Sequence, residues 1–408
     1  MRAMTKVVVG FGLGLGLGAC AVQTPEPEAC AVFESMLEPD ECLAQLDTIV
    51  LEGRHLCDAT TGGFLLLCDE TDYDNRKLEL ARYGLDGEYE VLATLDAEHV
   101  TFVDLLREPT RDELWVMGNS ERWIFDSEGV ELDYTSFEFE LIRSVTFYEG
   151  DILYHHFSPS NASDKGVERR NVDGDTIWLT DARSIGNYVT GETGATFEAD
   201  QIFDLELRGP YLSFRIAHAG AGVIDLIVLD PTDGAIVWRR RLRDESDTDD
   251  PSKTSYYSLT GTEELVLIES ARALHAQSGD LVEPARIVAT GLDPEGETQW
   301  TRSVEFEADI LLAAAGASVM VGEDLISLVS LYREPFDDRV AEAMLMRVTP
   351  EGETCSVPIP ASETGLANRQ LAKLGGGRVI ASAPAEYEDI VPGELRVFAD
   401  GVGGCVDE

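Results

Sequence analysis

Short apolar runs recur along the chain and end in turns built from Asp, Pro and Gly. The clearest copy leaves residues 226–229 through Asp230-Pro231-Thr232-Asp233-Gly234 and re-enters an apolar stretch that carries Trp238. A strand, a turn whose glycine takes a positive φ, and a second strand are the grammar of a β-hairpin. The same order returns at Leu292-Asp293-Pro294-Glu295-Gly296 with Trp300, and at Val172-Asp173-Gly174 with Trp178. Shorter copies end at Gly87, Gly129, Gly352 and Gly401. Successive turn glycines are 42, 45, 60, 62, 56 and 49 residues apart. Units of about 40–50 residues, each supplying four strands, predict a β-propeller. Further strands are predicted at 113–117, 151–154, 211–216, 264–268 and 378–381, and only 35–46 and 340–344 have the pattern of a helical turn. The expected fold class is all-β: a single propeller of seven four-stranded antiparallel blades, with six or eight as neighbouring solutions.

The start of the chain breaks this period. Arg2 and Lys6 precede an apolar, glycine-laced run at 7–18, and small residues follow up to Cys20. That arrangement describes a secretory signal. The run falls short of the ~20 residues that a membrane-spanning helix needs. Leu17-Gly18-Ala19-Cys20 resembles the lipobox of bacterial lipoproteins, which implies cleavage before Cys20 and lipid on its sulfur and new amino group. Ala21 and Val22 follow where an aspartate would favour inner-membrane retention, so the resemblance points to the outer membrane or cell surface. The expected organisation is a signal peptide at 1–19, a lipidated cysteine and short Cys-containing linker at 20–45, and the propeller at 46–408.

Charge narrows the partners. The chain carries 77 acidic against 31 basic residues, a net charge of −46, and its lysines are only Lys6, Lys77, Lys165, Lys253 and Lys373. Nucleic acid needs clustered Lys and Arg on its phosphates and is excluded as a natural partner. Anionic lipid headgroups repel such a surface, so the acyl chains alone are expected to hold the membrane. Few lysines with many carboxylates also suit a saline setting, where screening removes self-repulsion.

Besides Cys20, the chain has Cys30, Cys42, Cys57, Cys68, Cys355 and Cys405. An even set in an exported chain reads as disulfides, with 15 connectivities open. Local pairing would join Cys30 to Cys42, Cys57 to Cys68 and Cys355 to Cys405; a rival pairing ties Cys405 to the N-terminal group. A zinc site lacks the CxxC or CxxH spacing such sites use.

The Asp230-to-Trp238 segment and its copies at Trp178 and Trp300 resemble the repeat of quinoprotein-like (PQQ-like/WD40-like) β-propellers. The resemblance implies that Trp178, Trp238 and Trp300 are blade-packing residues, with ligand stacking as the alternative role. Anchor, length and repeat type also resemble the lipid-anchored propeller scaffolds of outer-membrane assembly, which implies a scaffold without catalysis and carries over no site residue.

Signatures of chemistry are few. No GxSxG, HExxH or GxxxxGK[ST] occurs. His155 and His156 are adjacent on a predicted strand and so point to opposite faces. The acidic stretches 69–75 and 244–250 offer oxygens for calcium but lack the register of a calcium loop, so no cofactor is expected. The reading is a monomeric, non-catalytic envelope propeller that binds a protein or glycan. Its alternative is a propeller hydrolase or lyase acting on extracellular polysaccharide, which would gather Asp, Glu, Tyr or Arg at one mouth of the central channel. A quinone-dependent dehydrogenase is disfavoured, because the vicinal cysteines expected by resemblance are missing.

Overall fold

A computed structural model describes residues 43–400 apart from connecting segments, the longest being 158–164, 182–187, 190–195, 244–255, 334–341, 360–370 and 384–392. Seven four-stranded antiparallel sheets follow one another around a ring. Blades one to six occupy 54–98, 103–136, 141–181, 199–243, 256–305 and 312–359. Blade seven takes Leu371–Gly375, Arg378–Ala383 and Gly393–Asp400, and its outermost strand is Leu43–Leu51 from the other end of the chain. Leu43 pairs with Asp400 and Leu51 with Gly393, which closes the ring by backbone hydrogen bonds. The sheet therefore begins at Leu43, ahead of the boundary expected at 46.

The six turn glycines within the described residues all have positive φ, from 73° at Gly234 to 88° at Gly174, and each joins the third strand of a blade to its outermost. Gly401 lies outside the described residues. Two added hairpins account for the longest repeats. Tyr188–Val189 pairs with Thr196–Phe197 between blades three and four, and Leu274–His275 pairs with Leu281–Glu283 inside blade five.

Burial follows position in the blade. Second strands such as Phe64–Asp69 and Asp324–Tyr332 are buried along almost their whole length, because adjoining blades cover both faces. The outermost strand Thr298–Glu305 alternates between exposed and half-buried residues. The apolar core lies between blades: Val266, Ile268 and Ile287 of blade five pack on Leu325, Val329 and Met346 of blade six. The helical turn expected at 340–344 is absent over its described part, where Glu342–Val348 is the third strand of blade six. Ala343 and Leu345 are buried there, and packing between sheets outweighs the helix preference of Ala, Glu, Met and Leu. The other expected helical turn, 35–46, ends within the strand Leu43–Leu51, and its remainder lies outside the described residues.

Candidate functional site

The turn before each outermost strand is where neighbouring blades meet. Trp178 of blade three donates its indole N–H to the Pro231 carbonyl in the turn of blade four at 3.0 Å, and Arg169 Nη1 donates to the same oxygen at 3.1 Å. A Cβ on Gly234 would lie 2.6 Å from the Trp178 ring, so that glycine is required by its φ and by the indole above it. Trp238 of blade four repeats the contact, donating to Pro294 O of blade five at 2.8 Å, with Gly296 under its ring. Trp300 faces Gly291 of its own blade and carries the Arg302 guanidinium 4.2 Å above its ring. Arg302 in turn donates to Glu323 O at 2.9 Å and Val348 O at 3.3 Å in blade six.

Blade six has a cysteine where blades three, four and five have tryptophan. Val348 pairs with Thr354 as Leu292 pairs with Thr298, and Cys355 opposes Arg347 in the place that Trp300 holds against Gly291. Cys355 is disulfide-bonded. Its expected partner Cys405 lies outside the described residues, as do Cys20, Cys30 and Cys42. Cys57 and Cys68 are joined across the two inner strands of blade one, with Cα atoms 5.8 Å apart. His55 Nε2 lies 3.4 Å from Cys57 Sγ. These three residues are the one group among the described residues with metal-ligand spacing, and both sulfurs are spent on each other. His155 is buried in blade three, and both acidic stretches fall largely outside the described residues.

The innermost strands hold a carboxyl pair that the repeat pattern did not single out. Asp58 of blade one accepts the Leu105 N–H of blade two at 2.6 Å, and Asp104 of blade two accepts the Val145 N–H of blade three at 3.3 Å. The two side chains also hydrogen-bond each other. Burial pushes both carboxyls above the usual range. Asp104 is pushed furthest, because the Asp58 charge and hydrogen bond act on it as well. Two carboxyls that share a proton are chemically an acid–base pair. Here, however, each also accepts a backbone N–H from the following blade, so the pair acts as a staple. Sequence carried one signal of it, the 46-residue spacing from Asp58 to Asp104, which is one blade. The innermost strand of blade six, Leu312–Val321, is rich in small residues, Ala313, Ala314, Ala315, Gly316 and Ala317, of which the first three are buried.

A second buried cluster lies within blade four. Asp225, with its side chain 1% exposed, is clasped by Arg239 and Arg241 from the outermost strand, and His218 Nε2 lies 2.9 Å away. Burial alone would raise this carboxyl, but hydrogen bonds from His218, Arg239 and Arg241 prevail and hold it at about 2. Glu168 in blade three is similar: burial is outweighed by Arg170, Thr176 and Tyr154, and its carboxyl titrates below the usual range. Both clusters are ion pairs internal to a sheet and leave no reacting group exposed beside a cavity.

One concave feature on the described surface is a pocket of about 320 Å³ between blades five and six. Its wall is mixed: Phe306, Ile310, Leu331, Met344 and Met346 form an apolar side, Thr354, Ser356 and the disulfide-bonded Cys355 a polar one, and its lip carries Glu305, Glu307 and Arg333. Sequence reasoning missed it, because it is assembled from four short segments spread over about 50 residues with no shared motif.

Ring, latches and staples together define a closed seven-bladed β-propeller. Similar solved structures include the WD40 β-propeller domain of Doa1 (TM-score 0.47, 10% identity, 89% of this chain and 99% of that one). Others are the WD40 domain of Pan2 from Neurospora crassa (TM-score 0.47, 10% identity, 88% and 95%) and BBS1N in its complex with ARL6DN (TM-score 0.42, 10% identity, 90% and 99%). Likeness at that level concerns the fold alone. No family model and no curated protein matches the chain.

Proposed function

We propose that the protein is a non-catalytic scaffold, lipid-anchored through Cys20 on a bacterial envelope, whose propeller binds a protein partner. The observation that carries this reading is the use made of the ionisable groups. Asp58 with Asp104, Asp225 with its arginines, and Glu168 with Tyr154 and Thr176 each hold strands or blades together, while an open pocket remains on the outer surface. The anchor and its location rest on the lipobox resemblance, and the acidic surface supports attachment through acyl chains alone.

Metabolic labelling with a palmitate analogue tests the anchor, with Cys20→Ala as control. Label is expected on the wild type and absent from the variant, which should leave the membrane fraction. Equal labelling of both would refute the anchor. Capture of a tagged copy from crosslinked membranes tests the scaffold. A partner in fixed ratio is expected, and recovery of the protein alone, folded and anchored, would count against it.

A further inference from the structure

The pocket between blades five and six combines three properties. Its floor is built from Ile310, Leu331 and Met346, which are buried, with half-buried Phe306 and Met344 beside them. Methionines give such a floor an adaptable shape, since an unbranched thioether repacks around different side chains. Its volume of about 320 Å³ is at the lower end for a ligand pocket, enough for one or two apolar side chains rather than an extended cofactor. Its lip is acidic: Arg333 is paired with Asp309, and Glu305 and Glu307 are exposed, with no ion pair to either among the described residues. On a chain of net charge −46, a cation arriving at this lip meets an attractive field both locally and at range.

We infer that this pocket is the docking point for the protein partner and that it takes an apolar anchor side chain flanked by Lys or Arg. The inference rests on the scaffold reading and adds a place and a partner chemistry to it. The apolar side chain fills the Met-lined floor and supplies affinity, while its basic flanks lie against Glu305 and Glu307 and speed encounter.

Fluorescence anisotropy on the whole chain tests it with three labelled peptides, Lys-Lys-Leu-Phe-Lys-Lys, Lys-Lys-Gly-Ser-Lys-Lys and Glu-Glu-Leu-Phe-Glu-Glu. The first should bind at one site at least 10-fold more tightly than either other in about 0.15 M salt, where diffuse attraction is screened. Ser356→Phe, at an exposed position on the pocket wall, and Glu305→Lys with Glu307→Lys should each weaken it at least 10-fold with the melting temperature unchanged. Equal binding of the first two peptides would overturn the inference, as would indifference to all three substitutions. Binding that emerges only in Phe336→Ala would overturn it in favour of the chain's own 334–341 segment as occupant. Self-association abolished by Ser356→Phe would do so in favour of a second copy. If the pocket variants still capture the crosslinked membrane partner, the pocket assignment fails and the scaffold reading stands.

Discussion

Asp58 and Asp104 stand on the innermost strands of adjoining blades, and each accepts a backbone N–H from the blade after its own. Their proton sharing has a stability consequence whose sign is fixed. Asp104 binds its proton more tightly folded than unfolded, so its contribution is complete below the ordinary carboxylate value of 3.8 and is lost as pH rises through the elevated one. Asp225 works the other way. Its contribution is present above 3.8 and is lost as pH falls toward about 2. Asp104→Asn keeps a hydrogen-bond donor for Asp58 and removes the second carboxylate. It should raise the melting temperature at neutral pH by a few degrees and flatten the decline in stability as pH rises above the ordinary carboxylate value of 3.8. Urea unfolding across that range checks it; an unchanged pH profile would show that the pair does not share a proton.

At the scale of the strand and turn, much of the fold was legible. The runs at 113–117, 151–154, 211–216 and 378–381, and the described part of 264–268, fall in the second strands of their blades. Second strands are covered on both faces, which is why they read as unbroken apolar stretches. The turn glycines were legible because φ near +80° excludes most other residues. The segment 340–344 misled, because its local helix preference is small beside what burial of Ala343 and Leu345 contributes. The carboxyl staple and the pocket were hidden for another reason: each joins residues from different blades, and hairpin spacing says nothing about how blades abut. The latch at Gly234 gives a sharp test at this scale. Gly234→Ala meets both an unfavourable φ and the Trp178 indole and should destabilise by about 2–5 kcal/mol. Adding Trp178→Ala should recover part of that loss in denaturant titration, since the indole is one of two obstacles, the other being Thr180 Oγ1. Strict additivity would mean that the two residues do not touch in solution.

For the whole molecule, the strand Leu43–Leu51 converts an open stack of sheets into a ring by supplying blade seven with its outer strand. Closure leaves each blade packed between two others, so a pocket at one seam sits on a rigid frame and can present a fixed shape to a partner. An acidic surface keeps such rings apart from one another and from anionic headgroups. The central claim is that the inner carboxyls hold the ring while the outer seam binds. Quantitative capture of the crosslinked membrane partner by wild type, Asp104→Asn and Ser356→Phe, all verified as folded, tests it most directly. The account predicts an undiminished partner with Asp104→Asn and a loss of at least 10-fold with Ser356→Phe. Loss with Asp104→Asn and retention with Ser356→Phe would contradict it and place the working surface in the channel.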